Sequence, residues 1–379
     1  MKRKKICFVV SSVLTAKFFL RYHIEKLSEE YDVYLVGNFS EEDIESISYF
    51  KLAGIKSIKI ERKINVLKDI RAIRDLSSYL KEINFNAITS LAPKAGLISA
   101  ISGKIAGTKN RVHIFTGQIW HTRKGLFKCL LKSLDKLIVL LNTQILVDSH
   151  SQKEYLLKEG IINNVDSYVL GNGSISGVDF DRFYPNKNSK KQLRDEIGIP
   201  QDAVVFLFMG RINKDKGILD LAYAFKMLLL SEKNIFLLMV GYDEEGCVKK
   251  SIDIIENEQH FKFFGSTDFP EKLIHVGDVF CLPSYREGFG TSVIEASNCA
   301  LAIICSDTYG LRDTIIDNVT GLRHETGNVE ELFLKMHKLA SDRKLIDLLG
   351  KNGHNYIQNN FSAPFVTNEL LKFFRDLLN

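Results

Sequence analysis

The chain has 379 residues, above the size at which one core usually keeps growing, so two domains are expected. A composition of 45% hydrophobic and 26% charged residues, with 25 Gly and 6 Pro, excludes a disordered chain and leaves each domain a core. The net charge of +5 permits an anionic partner, but no nucleic-acid-reading motif accompanies the basic residues, so nucleic acid is not an expected partner.

The chain opens with Lys2-Arg3-Lys4-Lys5 followed by the apolar residues 6–10, a pattern shared by export signals and by buried strands. Lys17 and Arg21 interrupt the apolar stretch, and residues 33–36 supply a second apolar run at Rossmann-like spacing, which favours the strand. No later run reaches the roughly 20 uninterrupted apolar residues of a membrane-spanning helix. Between the two strands, residues 18–30 carry Leu20, Ile24 and Leu27 at helical spacing. A strand is predicted over 55–60, then a helix with Leu67, Ile70, Ile73, Leu76 and Leu80 on one side, and the alternation continues through 87–91, 94–106 and 111–116. A helix over 126–141 leads to a strand at 145–148. Ser151 and Glu154 read as the capping box of a helix ending near Gly160.

The stretch from Gly171-Asn172-Gly173-Ser174 to Pro185-Asn186-Lys187-Asn188-Ser189 breaks this rhythm and sets domains at 1–185 and 191–379. The rhythm restarts with strand 204–209, helix 217–231, strand 235–240, a further helix and strand 261–264. A short helix over 271–276, strand 279–282, a helix start at 292–298 and strand 302–305 follow. From about 329 the chain is helical, except for a turn at Asn359, Asn360 and Phe361. The fold class is therefore α/β, with two Rossmann-like domains facing each other across a cleft at the carboxyl ends of their sheets. The six cysteines (Cys7, Cys129, Cys247, Cys281, Cys299 and Cys305) show neither metal-ligand spacing nor a disulfide framework, as in a reducing compartment.

Chemistry concentrates after two predicted strands. The segment Pro283-Ser284-Tyr285-Arg286-Glu287-Gly288-Phe289-Gly290-Thr291 follows strand 279–282, where an open α/β sheet binds ligands. Gly288 and Gly290 allow close backbone approach, and the helix start at Thr291 suits a phosphate. Glu295 lies further into that helix, placed to grip another part of one extended ligand: Glu287 on donor-sugar hydroxyls, Glu295 on ribose hydroxyls. The plainer alternative is a loop acid and a helix-surface acid. After strand 204–209 comes Gly210-Arg211-Ile212-Asn213-Lys214-Asp215-Lys216-Gly217, where Arg211 suits a bidentate phosphate contact and Lys216 a point charge on the same diphosphate. Two surface cations flanking a turn is the alternative.

Together these segments resemble the retaining nucleotide-sugar glycosyltransferases of family 4, which have the GT-B fold. Their E-x7-E element after a Pro-Ser turn is matched by Glu287 and Glu295, and their basic pair by Arg211 and Lys216. Residues 307–313 and 317–322 look like the family's closing signature. The resemblance implies substitution at the anomeric carbon with loss of a nucleoside diphosphate, Glu287 orienting the sugar. Gly288, Phe289, Gly290 and Thr291 join Arg211, Lys216 and Glu295 in binding the donor. The first domain departs from the pattern: Ser11-Ser12-Val13-Leu14-Thr15-Ala16 replaces a glycine pair, and Thr116 stands where many members have histidine. His121, a few residues on, is a candidate for that role, with helix capping or solvent exposure as the alternative; His113 alternates into the strand and reads as structural.

No metal or other cofactor is expected beyond a UDP-sugar donor, since Arg211, Lys216 and helix N-termini suffice to neutralise a diphosphate. Asp179-Phe180-Asp181 reads as turn and cap residues away from the diphosphate site. The segment Thr116-Gly117-Gln118-Ile119-Trp120 resembles the subgroup that builds O-antigen, capsule or linked glycans on a polyprenyl-diphosphate carrier, implying a lipid-linked saccharide acceptor and a cytoplasmic enzyme peripheral on the inner membrane. Between Arg123 and Lys136, Lys128, Lys132 and Lys136 recur every four residues beside Phe127, Leu130, Leu131 and Leu134. This suits a basic amphipathic helix on an anionic bilayer, or a domain helix that buries its apolar side and solvates its lysines. A nucleotide-sugar hydrolase or 2-epimerase, or a non-catalytic glycan-binding protein, are the competing functions. The terminal helix is a candidate to cross back to the first domain.

Overall fold

The computed structural model describes residues 3–61, 65–163 and 167–379, so Lys2 of the basic N-terminal run lies outside it. The chain forms two compact units, Met1–Gly177 with Ala363–Asn379, and Val178–Ser362. In the first, the strands are β1 (Lys5–Val9), β2 (Asp32–Gly37), β3 (Gly54–Ser57), β4 (Ala87–Leu91), β5 (Asn110–Phe115), β6 (Gln144–Val147) and β7 (Ser167–Val169). They pair in parallel in the order β3-β2-β1-β4-β5-β6-β7. The second unit holds β8 (Val204–Met209), β9 (Ile235–Val240), β10 (Phe261–Phe264), β11 (Val279–Leu282), β12 (Ala302–Ser306) and β13 (Leu322–His324). Their order, again parallel, is β10-β9-β8-β11-β12-β13.

Helices cover both faces of a parallel sheet, so its strands are apolar without alternation. Val-Val-Phe-Leu-Phe-Met of β8 and Val-Phe-Cys-Leu of β11 are buried throughout. The two are neighbours at the point where strand order reverses, and loops leaving such a pair diverge to opposite sides and open a crevice. The basic segment and the glutamate segment follow these two strands.

Three expectations change. The second unit begins at Val178, ahead of the expected division at 185, because Val178 and Phe183 are buried in its core and Asn298 Nδ2 donates to the Phe183 carbonyl at 2.5 Å. Residues assigned to a linker start the helix Lys187–Ile197, capped by Asn186, whose side chain accepts from the Ser189 amide at 3.0 Å. A buried arginine, Arg194, occupies a core-facing position there and hides the helical period. The helix His150–Lys158 is capped by Ser149, which accepts from the Gln152 amide at 3.1 Å, and not by Ser151, which lies inside it.

The terminal helix Ala363–Leu378 belongs to the first unit, burying Val366, Leu370 and Phe374 in its core. His23 holds it: one ring nitrogen meets Thr367 Oγ1 at 2.9 Å and the other the Ile175 carbonyl at 2.5 Å. Burial pushes this histidine down to about 4, so it is neutral at pH 7.

Candidate active site

The segments after β8 and β11 are fastened together residue by residue. Gly217 has φ +68°, and a Cβ there would lie 2.1 Å from the Pro283 carbonyl oxygen, so only glycine lets the turn Lys214–Lys216 close on that loop. The Tyr285 amide donates to the Asp215 carbonyl at 2.8 Å, Arg286 Nε to the Asp215 carboxylate at 2.9 Å, and the Tyr285 hydroxyl to Asp220 at 2.7 Å. This fastening places Lys216 Nζ on Glu287 Oε1, and the Ser284 hydroxyl donates to the same oxygen at 2.8 Å. The Glu287 side chain is only 12% exposed, so its ion pair is sheltered from water.

Arg211 stays largely exposed, and its Nη1 lies 3.1 and 3.2 Å from the two Glu244 oxygens. Glu244 also accepts from Asn213 Nδ2 at 2.7 Å. Its loop runs beside Arg211: the Ile212 amide donates to the Tyr242 carbonyl at 2.8 Å, and the Glu244 amide to the Ile212 carbonyl at 2.9 Å. Glu244 is a candidate site residue, by its contacts with Arg211 and Asn213, that sequence reasoning passed over. The signal was present, since Asp243-Glu244-Glu245 follows β9, the neighbour of β8. Both cations expected on a diphosphate are therefore held by carboxylates, and an anionic ligand must compete with or share those partners.

Between the two glutamates the chain turns inward. Phe289 is buried with its ring 5.3 Å from that of Phe361, so this expected donor-binding residue offers a ligand its backbone and not its side chain. Gly288 is also buried, while Gly290 and Thr291 are partly exposed at the start of the helix Thr291–Asn298, which has no side-chain cap. Gly310, at φ +85°, supports the loop from below: a Cβ there would lie 2.6 Å from the Gly288 carbonyl and 2.7 Å from that of Glu287.

Glu295 keeps some exposed surface, yet burial of its carboxyl pushes it up to about 8. Arg182 pulls it down, whereas Glu271 and Asp179 push it further up. Arg182 is itself paired with Glu271 at 2.7 Å. The triplet Asp179-Phe180-Asp181 is thus not remote from the site, although Asp179 does act as a turn cap, accepting from the amides of Asp181 and Arg182 at 3.1 and 3.3 Å. The expected charged contact of Glu295 becomes, at pH 7, a neutral carboxyl able both to donate and to accept. The native state then holds a proton that the unfolded chain releases above its ordinary 4.5, so stability falls as pH rises from there through about 8. Urea unfolding at pH 5 and pH 8.5 is expected to show a smaller pH-dependent loss for Glu295→Gln than for the parent; equal losses would refute the shift.

The comparisons with known proteins meet this geometry. Residues 189–356 match the family described as Glycosyl transferases group 1, a span containing Arg211, Lys216, Glu287 and Glu295. The chain is a glycosyltransferase. It is 28% identical to a capsular polysaccharide biosynthesis glycosyltransferase of Staphylococcus aureus, over 100% of this chain and 98% of the relative. An Escherichia coli UDP-Gal:alpha-D-GlcNAc-diphosphoundecaprenol alpha-1,3-galactosyltransferase is 24% identical over 84% of this chain and 82% of its own. The solved structure of Anabaena HepE in complex with UDP and glucose superimposes with a TM-score of 0.81 at 16% identity, covering 99% of this chain and 100% of that one. This shared fold is GT-B.

The remaining candidates of the glycosyltransferase lie in its first unit. His121 sits in the turn Ile119–Thr122 after β5, with Nδ1 2.8 Å from the Tyr155 hydroxyl and the two rings edge to face at 5.1 Å. Thr116 accepts through its carbonyl from Gln118 Nε2 at 3.1 Å and Gln152 Nε2 at 2.8 Å. His113 is fully buried, 3.0 Å from the Ser90 hydroxyl, and burial pushes it down to about 3, so it is a neutral core residue of the glycosyltransferase.

Proposed function

We propose that this glycosyltransferase transfers a sugar from a UDP-sugar, with retained anomeric configuration, to a polyprenyl-diphosphate-linked saccharide in capsule or O-antigen synthesis. The observation that carries the reading is the junction of Lys216 and Glu287 at the loops of β8 and β11. A diphosphate drawn to Lys216 and Arg211 brings the donor's anomeric carbon toward Glu287, whose carboxylate orients the sugar hydroxyls. Departure of the nucleoside diphosphate places negative charge on the phosphate oxygens, where the two cations stabilise it. Glu295 holds the ribose hydroxyls, and the backbone of Gly288, Phe289 and Gly290 with Thr291 lines the donor. His121 serves the acceptor side. An N-acetylhexosamine or a deoxy sugar is the candidate group transferred.

The relatives support the substrate classes. The Escherichia coli protein's name gives UDP-Gal as donor and a diphosphoundecaprenol-linked sugar as acceptor, and the Staphylococcus aureus protein's name places it in capsule synthesis. Such an acceptor brings the enzyme to the cytoplasmic face of the inner membrane as a peripheral protein.

A screen of UDP-sugars against lipid-linked and short-chain acceptors, with linkage analysis of the product by NMR, tests the reading. The expected result is α-linked product formed only when an acceptor is present, at a rate that survives exhaustive chelation. UDP release without acceptor would give a hydrolase, and acceptor-independent sugar inversion a 2-epimerase. Loss of activity with EDTA, restored by one divalent metal, would overturn the metal-free part.

A further inference from the structure

The helix Gly125–Leu141 buries one part of its apolar surface in the first unit, with Ile138 in the core and Leu131 and Val139 packed against it, and leaves the rest uncovered. Three of its charged residues share that inward side. Asp135 is buried and accepts from Trp120 Nε1 at 2.7 Å, while Lys128 and Lys132 place their ammonium groups 5.9 and 5.3 Å from the centroid of the buried Trp120 ring. Lys132 also pairs with Glu159 at 2.7 Å. A second set of apolar residues faces outward: Leu126 is 90% exposed, Phe127 50%, Leu130 52% and Leu140 79%. The segment buries part of its apolar side, as expected of a domain helix, but two of the three lysines expected on a bilayer or in solvent are occupied with Trp120.

We propose that this outward stripe inserts into a lipid bilayer in the plane of the membrane, and that the exposed basic residues at its edge favour an anionic surface. From Leu126 to Leu140 the stripe runs about 21 Å at 1.5 Å rise per residue, the length of an interfacial helix and not of a spanning one. Among the described residues, no helix is long and apolar enough to cross a membrane. The exposed charges along the segment are Arg123, Lys124 and Lys136, all basic, and the helix's sole acid is the buried Asp135. An exposed stripe of large apolar side chains flanked by cations, with no exposed acid among them, complements phosphate headgroups over acyl chains. The proposal rests on the lipid-linked acceptor reading, and it replaces lysine attraction by apolar insertion as the main source of binding.

Flotation of the full chain with vesicles of phosphatidylcholine, alone or mixed with phosphatidylglycerol, tests it. Replacing Leu126, Phe127 and Leu130 together by Gln is expected to lower binding to both compositions by about tenfold or more. Changing Arg123, Lys124 and Lys136 to Gln is expected to remove only the preference for phosphatidylglycerol. All three apolar positions are exposed, so circular dichroism of the variant should match the parent, and transfer to a short-chain acceptor should persist. Unchanged flotation of the apolar variant, or a parent that does not float, overturns the proposal. So does a concentration-dependent dimer in sedimentation that the apolar variant abolishes, which would make a second copy the occupant. Absence of transfer by the parent to any acceptor would instead sink the acceptor reading, whatever the flotation shows.

Discussion

Replacing Glu287 by Gln is expected to lower turnover by about 100-fold or more while leaving UDP affinity near that of the parent, the size seen when one preorganised charge aimed at a transition state is removed. Glu287 is sheltered, accepts from Ser284 at 2.8 Å and holds Lys216. The amide keeps the side chain's volume and its bond from Ser284, but removes the negative charge that orients sugar hydroxyls and favours positive character at the anomeric carbon. That contact strengthens in the transition state, so its loss falls on turnover. Free UDP lacks the transferred sugar that Glu287 would hold, and its diphosphate still finds Arg211 and Lys216. Glu295→Gln is expected to behave in the opposite way, weakening UDP binding. Because burial holds its carboxyl protonated at pH 7, the loss there should be that of a neutral hydrogen bond, about 0.5–1.5 kcal/mol, and not of a charged one. Calorimetry with UDP, run beside steady-state transfer, separates the two residues. Equal loss of UDP affinity in both variants, or near-normal turnover in Glu287→Gln, would sink the division of roles.

The largest effect on stability is expected at Asp278, at the head of β11. Its carboxylate is buried and accepts from Arg194 Nη2 at 2.7 Å, Lys190 Nζ at 2.5 Å and the Val205 amide at 2.7 Å. Arg194 is buried too, and donates to the carbonyls of Val276, Gln201 and Ala203. Burial by itself would raise the Asp278 carboxyl, but Lys190 and Arg194 hold it below the usual carboxylate range. Asp278→Ala leaves the Arg194 charge without its counterion in a low-dielectric core, which costs about 3–5 kcal/mol. The stability that this carboxylate contributes is present above its unfolded value and is lost as pH falls through its depressed native one. Urea unfolding of the variant is the measurement, and a loss under about 1 kcal/mol would mean that water or a neighbouring carboxylate compensates Arg194. The double variant Asp278→Leu with Arg194→Leu should recover most of the loss, because a buried pair replaced by apolar groups of similar size is close to neutral.

Much of this protein could be read before its fold was known, and the readable part has one physical character. Buried parallel strands need unbroken apolar runs, so β1, β8 and β11 stand out locally, and the ligand loops of an open sheet must follow such strands. Arg211, Lys216, Glu287 and Glu295 were found for that reason. Elements whose signal is short or masked were not: β7 and β13 have three residues each, and the helix Lys187–Ile197 turns an arginine toward the core. Partnership was also beyond local pattern, because it depends on which loops the sheet order brings together. Lys216 meets Glu287 across 71 positions of chain, Arg211 meets Glu244, and Phe289 turns inward onto Phe361 although its neighbours are glycines suited to a ligand. The helix Gly125–Leu141 makes the limit plainest. Its periodicity separates apolar from basic positions, but which of them meet solvent is set by packing: the buried Trp120 draws Lys128 and Lys132 onto its ring and Asp135 onto its indole N–H beside the buried Ile138, and Leu126, Leu130 and Leu140 are left outside.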